Sequence, residues 1–421
     1  MNAIEIRNLC KNFGEKQDGF YTFPTAEKLA SLTLALVLLL TGCATPVSKQ
    51  ENNDESTTVE TTTEPITEKE IVENPESLQE LVEKVAKQYG ATAIQVATIK
   101  DGQVSSTAEY GWAVRGVREV DSDTKIRIAS LSKTALAMVV FRLIEEGKLE
   151  LDRDISDYLG VSVRHPYYPD EVITLRLLLT HTSGLSSYAY QYSLEAVQSY
   201  LQRTSSYIEK PGAKFRYNNY GFGIVTTICE IVTGKSMNML VREYFLDPMG
   251  IEGSFLAGQL NPDQVAALYE NTYSLELSVA QQTSYKDDVA SPAAYMGIYA
   301  GGLTISAKDF AKLLTIFING GTYLGEQYLT QESIDQIQTP QVPDEPIQCM
   351  PVKKMEGLYN QEYMYYHTGS AYGTYNLYAY NPDTKEGLVV ITVGAWNSRD
   401  RYNVYSVCGS IADAVFEQDL L

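Results

Sequence analysis

Histidine, tryptophan and cysteine are scarce in this 421-residue chain, at three, two and five residues. No two of His165, His181 and His367 fall at helical metal-ligand spacing, so a metallohydrolase site has little to be built from. Cys10, Cys43, Cys229, Cys349 and Cys408 are widely separated; no close pair resembles a zinc or redox motif, and no disulfide framework is implied. Positive charge is short as well. The 33 Lys and Arg against 53 Asp and Glu leave a formal net charge of -20, which disfavours nucleic acid as a partner because phosphate binding needs concentrated cations. What is present in normal measure is apolar content, 44% against 20% charged, enough for a sizeable core and against global disorder.

The front of the chain reads as processing and tethering. Leu29 to Leu40, LASLTLALVLLL, is a twelve-residue apolar run, too short to span a bilayer and suited to a signal-peptide core. Leu40-Thr41-Gly42-Cys43 follows and resembles a bacterial lipobox, which implies cleavage before Cys43, lipidation of that thiol and an extracytoplasmic protein anchored to a bacterial membrane. Residues 1–28 are anomalous as a leader, since Arg7, Lys11, Lys16 and Lys28 are balanced by Glu5, Glu15, Asp18 and Glu27. Their opening, IEIRNLCKNFG, resembles the first strand of an ABC-transporter ATPase, but no G-x-x-x-x-G-K-[ST] loop follows to cradle a phosphate. Residues 44–76 are Thr-rich and acidic, with eight carboxylates between Glu51 and Pro75 against Lys69 alone. That composition predicts a flexible spacer.

From Ser77 onward the pattern becomes that of a globular domain, 77–421. SLQELVEKVAKQYG places Leu78, Leu81, Val82, Val85 and Ala86 at helical spacing before Gly90. Two strands, ATAIQVATI and QVSSTAEYGWAV, flank the turn Lys100-Asp101-Gly102. Near the other end EYMYYHTG, TYNLYAYNP and GLVVITVGAW read as three more strands, with turns at Gly369–Gly373 and Asn381–Gly387, and VYSVCGSIADAVFEQ as a closing helix. The middle holds an amphipathic helix in LSKTALAMVVFRLIEEG, further helices in YGFGIVTTICEIVTG and SAKDFAKLLTIFINGG, and a Tyr-rich stretch, Ser186 to Ser193, assigned to surface packing. The expected fold is α/β (α+β): one antiparallel sheet completed by both chain ends, a helical lobe from the middle, and a site in the cleft between them.

Three short motifs carry the chemistry. In Ser130-Leu131-Ser132-Lys133, where the strand IRIAS gives way to the long helix, residues three apart share a face, so a lysine deprived of water can accept the serine proton. Tyr217-Asn218-Asn219 lies in a loop entering a helix after Pro211-Gly212; its phenol can shuttle a proton, while Asn219 can hold a substrate amide and tether the lysine. His367-Thr368-Gly369 closes a strand beside the cleft, with His367 able to contact a substrate carboxylate or assist proton transfer and Gly369 admitting close backbone approach. Chance supplies about one or two S-x-x-K matches in a chain this long, and Tyr269-Glu270-Asn271 and Lys385-Glu386-Gly387 are formal rivals for the other two.

Taken together and in this order, the three motifs resemble those of the serine β-lactamase and penicillin-binding protein superfamily, in its class C-like branch of DD-peptidases, D-aminopeptidases and esterases. LLTHTSGL (Leu178 to Leu185), LDRDISDYL, PGAKFRYNNYGFGIV and GGLTISAKDFAKLL strengthen the likeness. The resemblance implies Ser130 as acylated nucleophile, Lys133 and Tyr217 as general base and acid, and Asn219, His367, Thr368 and Gly369 as substrate-binding residues. It further implies an oxyanion hole from the backbone N–H groups of Ser130 and Ser370, no metal or organic cofactor, and a scaffold role for His181 and Ser183. The substrate expected is a D-amino-acid peptide of the cell wall or a related amide or ester. The alternatives are a β-lactamase, a carboxylesterase, or a non-catalytic penicillin- or wall-ligand-binding protein. True class C β-lactamases usually carry Lys where His367 stands, which weakens the β-lactamase alternative.

Overall fold

A computed structural model of the chain describes residues 75–187 and 190–421 and, by themselves, the paired strands Lys16–Gln17 and Phe20–Tyr21. The expectations for the leader, the lipobox at Cys43 and the spacer up to residue 74 lie outside the described residues. The elements that position the site are α1 (Leu78–Tyr89), β1 (Ala93–Lys100), β2 (Gln103–Val114), β3 (Arg118–Glu119), β4 (Ile126–Arg127), α2 (Ser132–Glu145), α3 (Asn219–Thr233), β5 (Gly253–Ser254), β6 (Thr304–Ile305), α4 (Ala307–Ile318), β7 (Lys353–Glu356), β8 (Tyr363–Ala371), β9 (Thr374–Asn381), β10 (Glu386–Val393) and α5 (Ser406–Glu417).

Local chemistry accounts for the boundaries. The Ser77 hydroxyl accepts from the Glu80 N–H to start α1, and Gly90, at φ 62°, ends it in the left-handed conformation. Asp101 and Gly102 both have positive φ (53° and 73°), the requirement of a two-residue hairpin whose twist matches its strands, and Tyr372 and Gly373 (52° and 74°) repeat it between β8 and β9. The turn expected to begin at Gly369 therefore starts later: β8 continues through Ser370 and Ala371 before turning.

Seven strands form one antiparallel sheet in the order β7-β8-β9-β10-β1-β2-β3, so β1 from the start of the domain pairs with β10 from its end. Two edge strands, β3 and β7, add to the five legible in the sequence; at two and four residues they are too short to show a period. Alternation along the central strands feeds two separate cores. Ile94, Val96, Leu388 and Val390 pack with Leu81 and Val85 of α1 and Ile411 and Val415 of α5. Ala97, Ile99, Val389 and Ile391 pack with Phe310 and Leu314 of α4 and with the helical lobe.

α2 differs from expectation. It is buried on all sides from Ser132 to Phe141 rather than amphipathic, because it runs through the middle of the lobe with α3 and α4 in the same core. A small sheet in the order β4-β6-β5 fixes the strand that leads into it.

Candidate active site

β4 ends at Arg127, and the chain reaches α2 through a single tight turn, Ala129–Leu131. Ala129 has φ +50°, a left-handed conformation that costs a non-glycine residue about 1 kcal/mol and is tolerated where surrounding bonds impose it. Those bonds are present. Ser132 Oγ donates to the Ala129 carbonyl (2.6 Å) and accepts from the Leu303 N–H (3.1 Å), while the Ile128 N–H donates to the Leu303 carbonyl (2.9 Å). Ser132 is thus spent on the backbone, and Ser130 is left with its side chain partly exposed in the cleft.

Lys133 has no exposed surface. Its Nζ lies 3.0 Å from Ser130 Oγ and donates to the Ala300 carbonyl at 2.7 Å, with the Tyr217 and Phe222 rings 5.1 and 5.5 Å away. Loss of water lowers its pKa to about 7, so an appreciable fraction is neutral at ordinary pH and able to take a proton. Asn219 had been expected to tether this lysine. The Ala300 carbonyl is the second partner instead, and the half-buried Asn219 side chain at the start of α3 makes no hydrogen bond among the described residues.

Tyr217 is 43% exposed, yet loss of water around its phenol raises the pKa, an effect partly offset by interaction with the Ser130 hydroxyl. A phenol raised in this way is an acid at neutral pH, which leaves the base role to the lysine. Its loop is clamped by His181. The His181 carbonyl accepts from the Arg216 N–H (2.9 Å), His181 Nδ1 accepts from the Asn218 N–H (3.0 Å), and the imidazole lies 4.3 Å from the Tyr217 ring between centroids. His181 is buried and held neutral, first by burial and then by the nearby Lys133 charge. Ser183 lies buried in the same segment, its Oγ accepting from the Leu185 N–H (3.4 Å), so neither residue forms a Ser–His pair.

The third motif lines the opposite wall. β7 pairs only with Tyr363–Tyr366, so beyond that point one edge of β8 is open. In the ladder closed by the Tyr372-Gly373 turn, Ala371, Gly369 and His367 exchange bonds with β9, which directs the N–H groups of Ser370 and Thr368 to the open edge. Gly369 backs onto the nucleophile's turn: a Cβ there would stand 2.6 Å from the Ile128 carbonyl oxygen and 3.2 Å from the Ser130 N atom. His367 is buried, with Nδ1 2.7 Å from the Thr368 carbonyl, an acceptor only, so the proton sits on Nδ1 and Nε2 keeps a lone pair. Burial and the Lys133 charge lower its pKa to about 3.

The rival motifs fall elsewhere. The Tyr269 hydroxyl accepts from the Arg115 N–H and Asn271 Oδ1 accepts from the N–H groups of Tyr273 and Ser274, so both shape a hairpin, while Lys385 is a turn residue at φ 59°. The Ala300 carbonyl was missed, its only signal being Gly301-Gly302 after it, and the scaffold role expected of His181 did not specify the Tyr217 loop as what it holds. Among the described residues no group of His, Cys, Asp and Glu could hold a metal ion, and Cys229, Cys349 and Cys408 are free and buried.

Comparison with known proteins gives a consistent result. The family model described as Beta-lactamase matches residues 78–404. The D-alanyl-D-alanine-carboxypeptidase/endopeptidase AmpH of Escherichia coli (strain K12) is 29% identical over 220 residues, 49% of this chain and 54% of AmpH. The octameric penicillin-binding protein homologue from Pyrococcus abyssi shares the fold with TM-score 0.64 at 23% identity, covering 82% of this chain and 76% of its own. D-amino acid amidase from Ochrobactrum anthropi SV3 does so with TM-score 0.61 at 17% identity, covering 81% and 98%. The matched part spans less than two thirds of the first curated relatives' own length, 61% to 64%.

Proposed function

The chain belongs to the Beta-lactamase family, and from that premise we propose that it is a serine hydrolase that forms an acyl-enzyme on Ser130. The observation that carries this reading is the buried Lys133, held 3.0 Å from the Ser130 hydroxyl with no ion pair among the described residues and a pKa of about 7. Neutral Lys133 takes the Ser130 proton as Oγ attacks the carbonyl carbon; the Ser130 and Ser370 N–H groups, preorganised on the turn and the open edge, receive the oxyanion. The Tyr217 phenol gives its proton to the departing amine or alcohol and is resupplied from Lys133. Water then takes the leaving group's place and the transfers run in reverse.

Asn219, with an unpaired amide, holds a substrate amide, and Thr368 with Gly369 lines the edge on which the substrate extends. Because His367 is neutral above about pH 3, it presents a lone pair rather than a fixed cation, which suits amide and ester leaving groups. A D-amino-acid amide, ester or cell-wall peptide is the substrate class proposed, in keeping with the carboxypeptidase and amidase named among its relatives.

Intact-mass spectrometry after incubation with a fluorescent penicillin tests the reading. A lasting adduct is expected on the native protein and none on Ser130→Ala; absence of any adduct, with penicillin and with an activated organophosphonate, would make the protein a binder and not an enzyme. We propose further that Cys43 carries a lipid that holds the domain outside a bacterial membrane. Cys43→Ala is then expected to move the protein from the detergent phase to the aqueous phase of a partition assay, and equal partition of both forms would refute the anchor.

A further inference from the structure

Three residues before the nucleophile, Arg127 sends its guanidinium to the same backbone stretch that holds the lysine. Arg127 Nε donates to the Gly301 carbonyl at 2.9 Å, and the adjacent Ala300 carbonyl is the one bonded to Lys133. The Tyr372 ring centre lies 4.8 Å from Arg127 Cζ, within cation–π range, and Tyr372 sits in the hairpin two residues after Ser370. The guanidinium is therefore bounded by the lysine's acceptor on one side and by the end of the open edge on the other. The Tyr190 and Tyr285 phenols are also close enough to act on it. Tyr285 and Tyr372 are 54% and 45% exposed, and Arg127 keeps part of its own surface exposed beside them.

This guanidinium is short of partners. It has five N–H donors, and among the described residues only Nε is bonded, with no carboxylate in an ion pair to it. Arg127 is itself half-buried in a chain that carries 53 acidic residues. An uncompensated, partly desolvated cation costs stability, and a planar guanidinium between phenol rings matches a carboxylate approaching with two oxygens.

Direction along the cleft follows from the proton donor. The leaving group must lie beside Tyr217, whose ring packs against His181 at 4.3 Å between centroids, and His367 is near enough to His181 for the two imidazoles to disfavour each other's protonation, so the three residues group together in the cleft. Tyr372 follows the last residue of β8, five positions beyond His367, with Arg127 against its ring, and the part of the substrate that stays on Ser130 extends toward that end. Resting on the hydrolase reading above, we infer that Arg127 and Tyr372 form a subsite for a carboxylate carried by the acyl-donor portion of the substrate. The fitting class is a peptide or acylated D-amino acid whose donor arm ends in an acid.

Two aryl phosphonates that differ only in ending their acyl-side arm with a carboxylate or with its carboxamide test this without requiring turnover. The rate of Ser130 phosphonylation, followed by intact mass, is expected to be tenfold or more greater for the acid in the native protein. In Arg127→Gln that ratio is expected to fall to about one, and in Arg127→Lys, which keeps the charge but loses the fork, to lie between. A native ratio near one, or a ratio that Arg127→Gln leaves unchanged, overturns the subsite while the hydrolase stands. Should Arg127→Gln not fold, the native ratio and the Lys variant decide by the same criterion. Failure of both probes to label Ser130 removes the hydrolase reading itself and the subsite with it.

Discussion

Lys133 sits fully buried with a carbonyl and a hydroxyl for partners and forms no ion pair among the described residues. Desolvation alone therefore sets its proton affinity, moving the pKa from 10.5 to about 7. A base must be neutral to act, so the acylation rate is expected to rise with pH along a limb centred near 7. An unperturbed lysine would put the limb above pH 9, and neutral-ester hydrolysis from pH 5 to 10 separates the two. His367, neutral above about pH 3, adds no charge change in that window. The same depression means that the folded protein binds fewer protons than the unfolded chain between pH 7 and 10.5, so this group's contribution to stability rises with pH there. The serine–lysine spacing was legible because three residues at a helix start share a face. The left-handed Ala129 and the Ala300 carbonyl were not, since both depend on segments about 170 residues apart in the chain being brought together.

At the scale of elements, the cleft is made by one contact between a strand and a turn. β8 can lie against Ala129–Leu131 only because Gly369 has no side chain: a Cβ would stand 2.6 Å from a backbone oxygen that cannot swing away. Gly369→Ala is thus expected to push the open edge off the nucleophile and cut acylation by roughly 10²-fold or more, the scale of losing one oxyanion donor. The measurement is the phosphonylation rate beside a thermal melt; an unchanged rate would show that the contact does not position the site. Sequence reading marked β8 as a strand and Gly369 as a point of close backbone approach, but placed the turn at Gly369–Gly373, whereas the strand runs on through Ala371. Read as amphipathic, α2 is instead enclosed over the ten residues Ser132–Phe141.

At the scale of the whole domain, β1 and β10 bring its two ends together at the middle of the sheet. α1 and α5 together cover the face formed by Ile94, Val96, Leu388 and Val390. A protein starting at Pro75 is expected to melt in one cooperative transition and to label at Ser130 as the full chain does. Removing residues 406–421 exposes Leu81, Val85 and the sheet face and is expected to abolish soluble folding, as judged by gel filtration; a soluble, active product would show that α5 is dispensable. The sequence by itself determined the five long strands of the sheet, the helices α1 to α5, the union of both ends in one sheet, and the serine, lysine, tyrosine and histidine motifs, because periodicity and short spacings are local properties. Only the tertiary structure decided which carbonyl holds the lysine, which way the open edge faces and that a lone guanidinium stands at its end. These depend on contacts between residues far apart in sequence, and no local pattern encodes them.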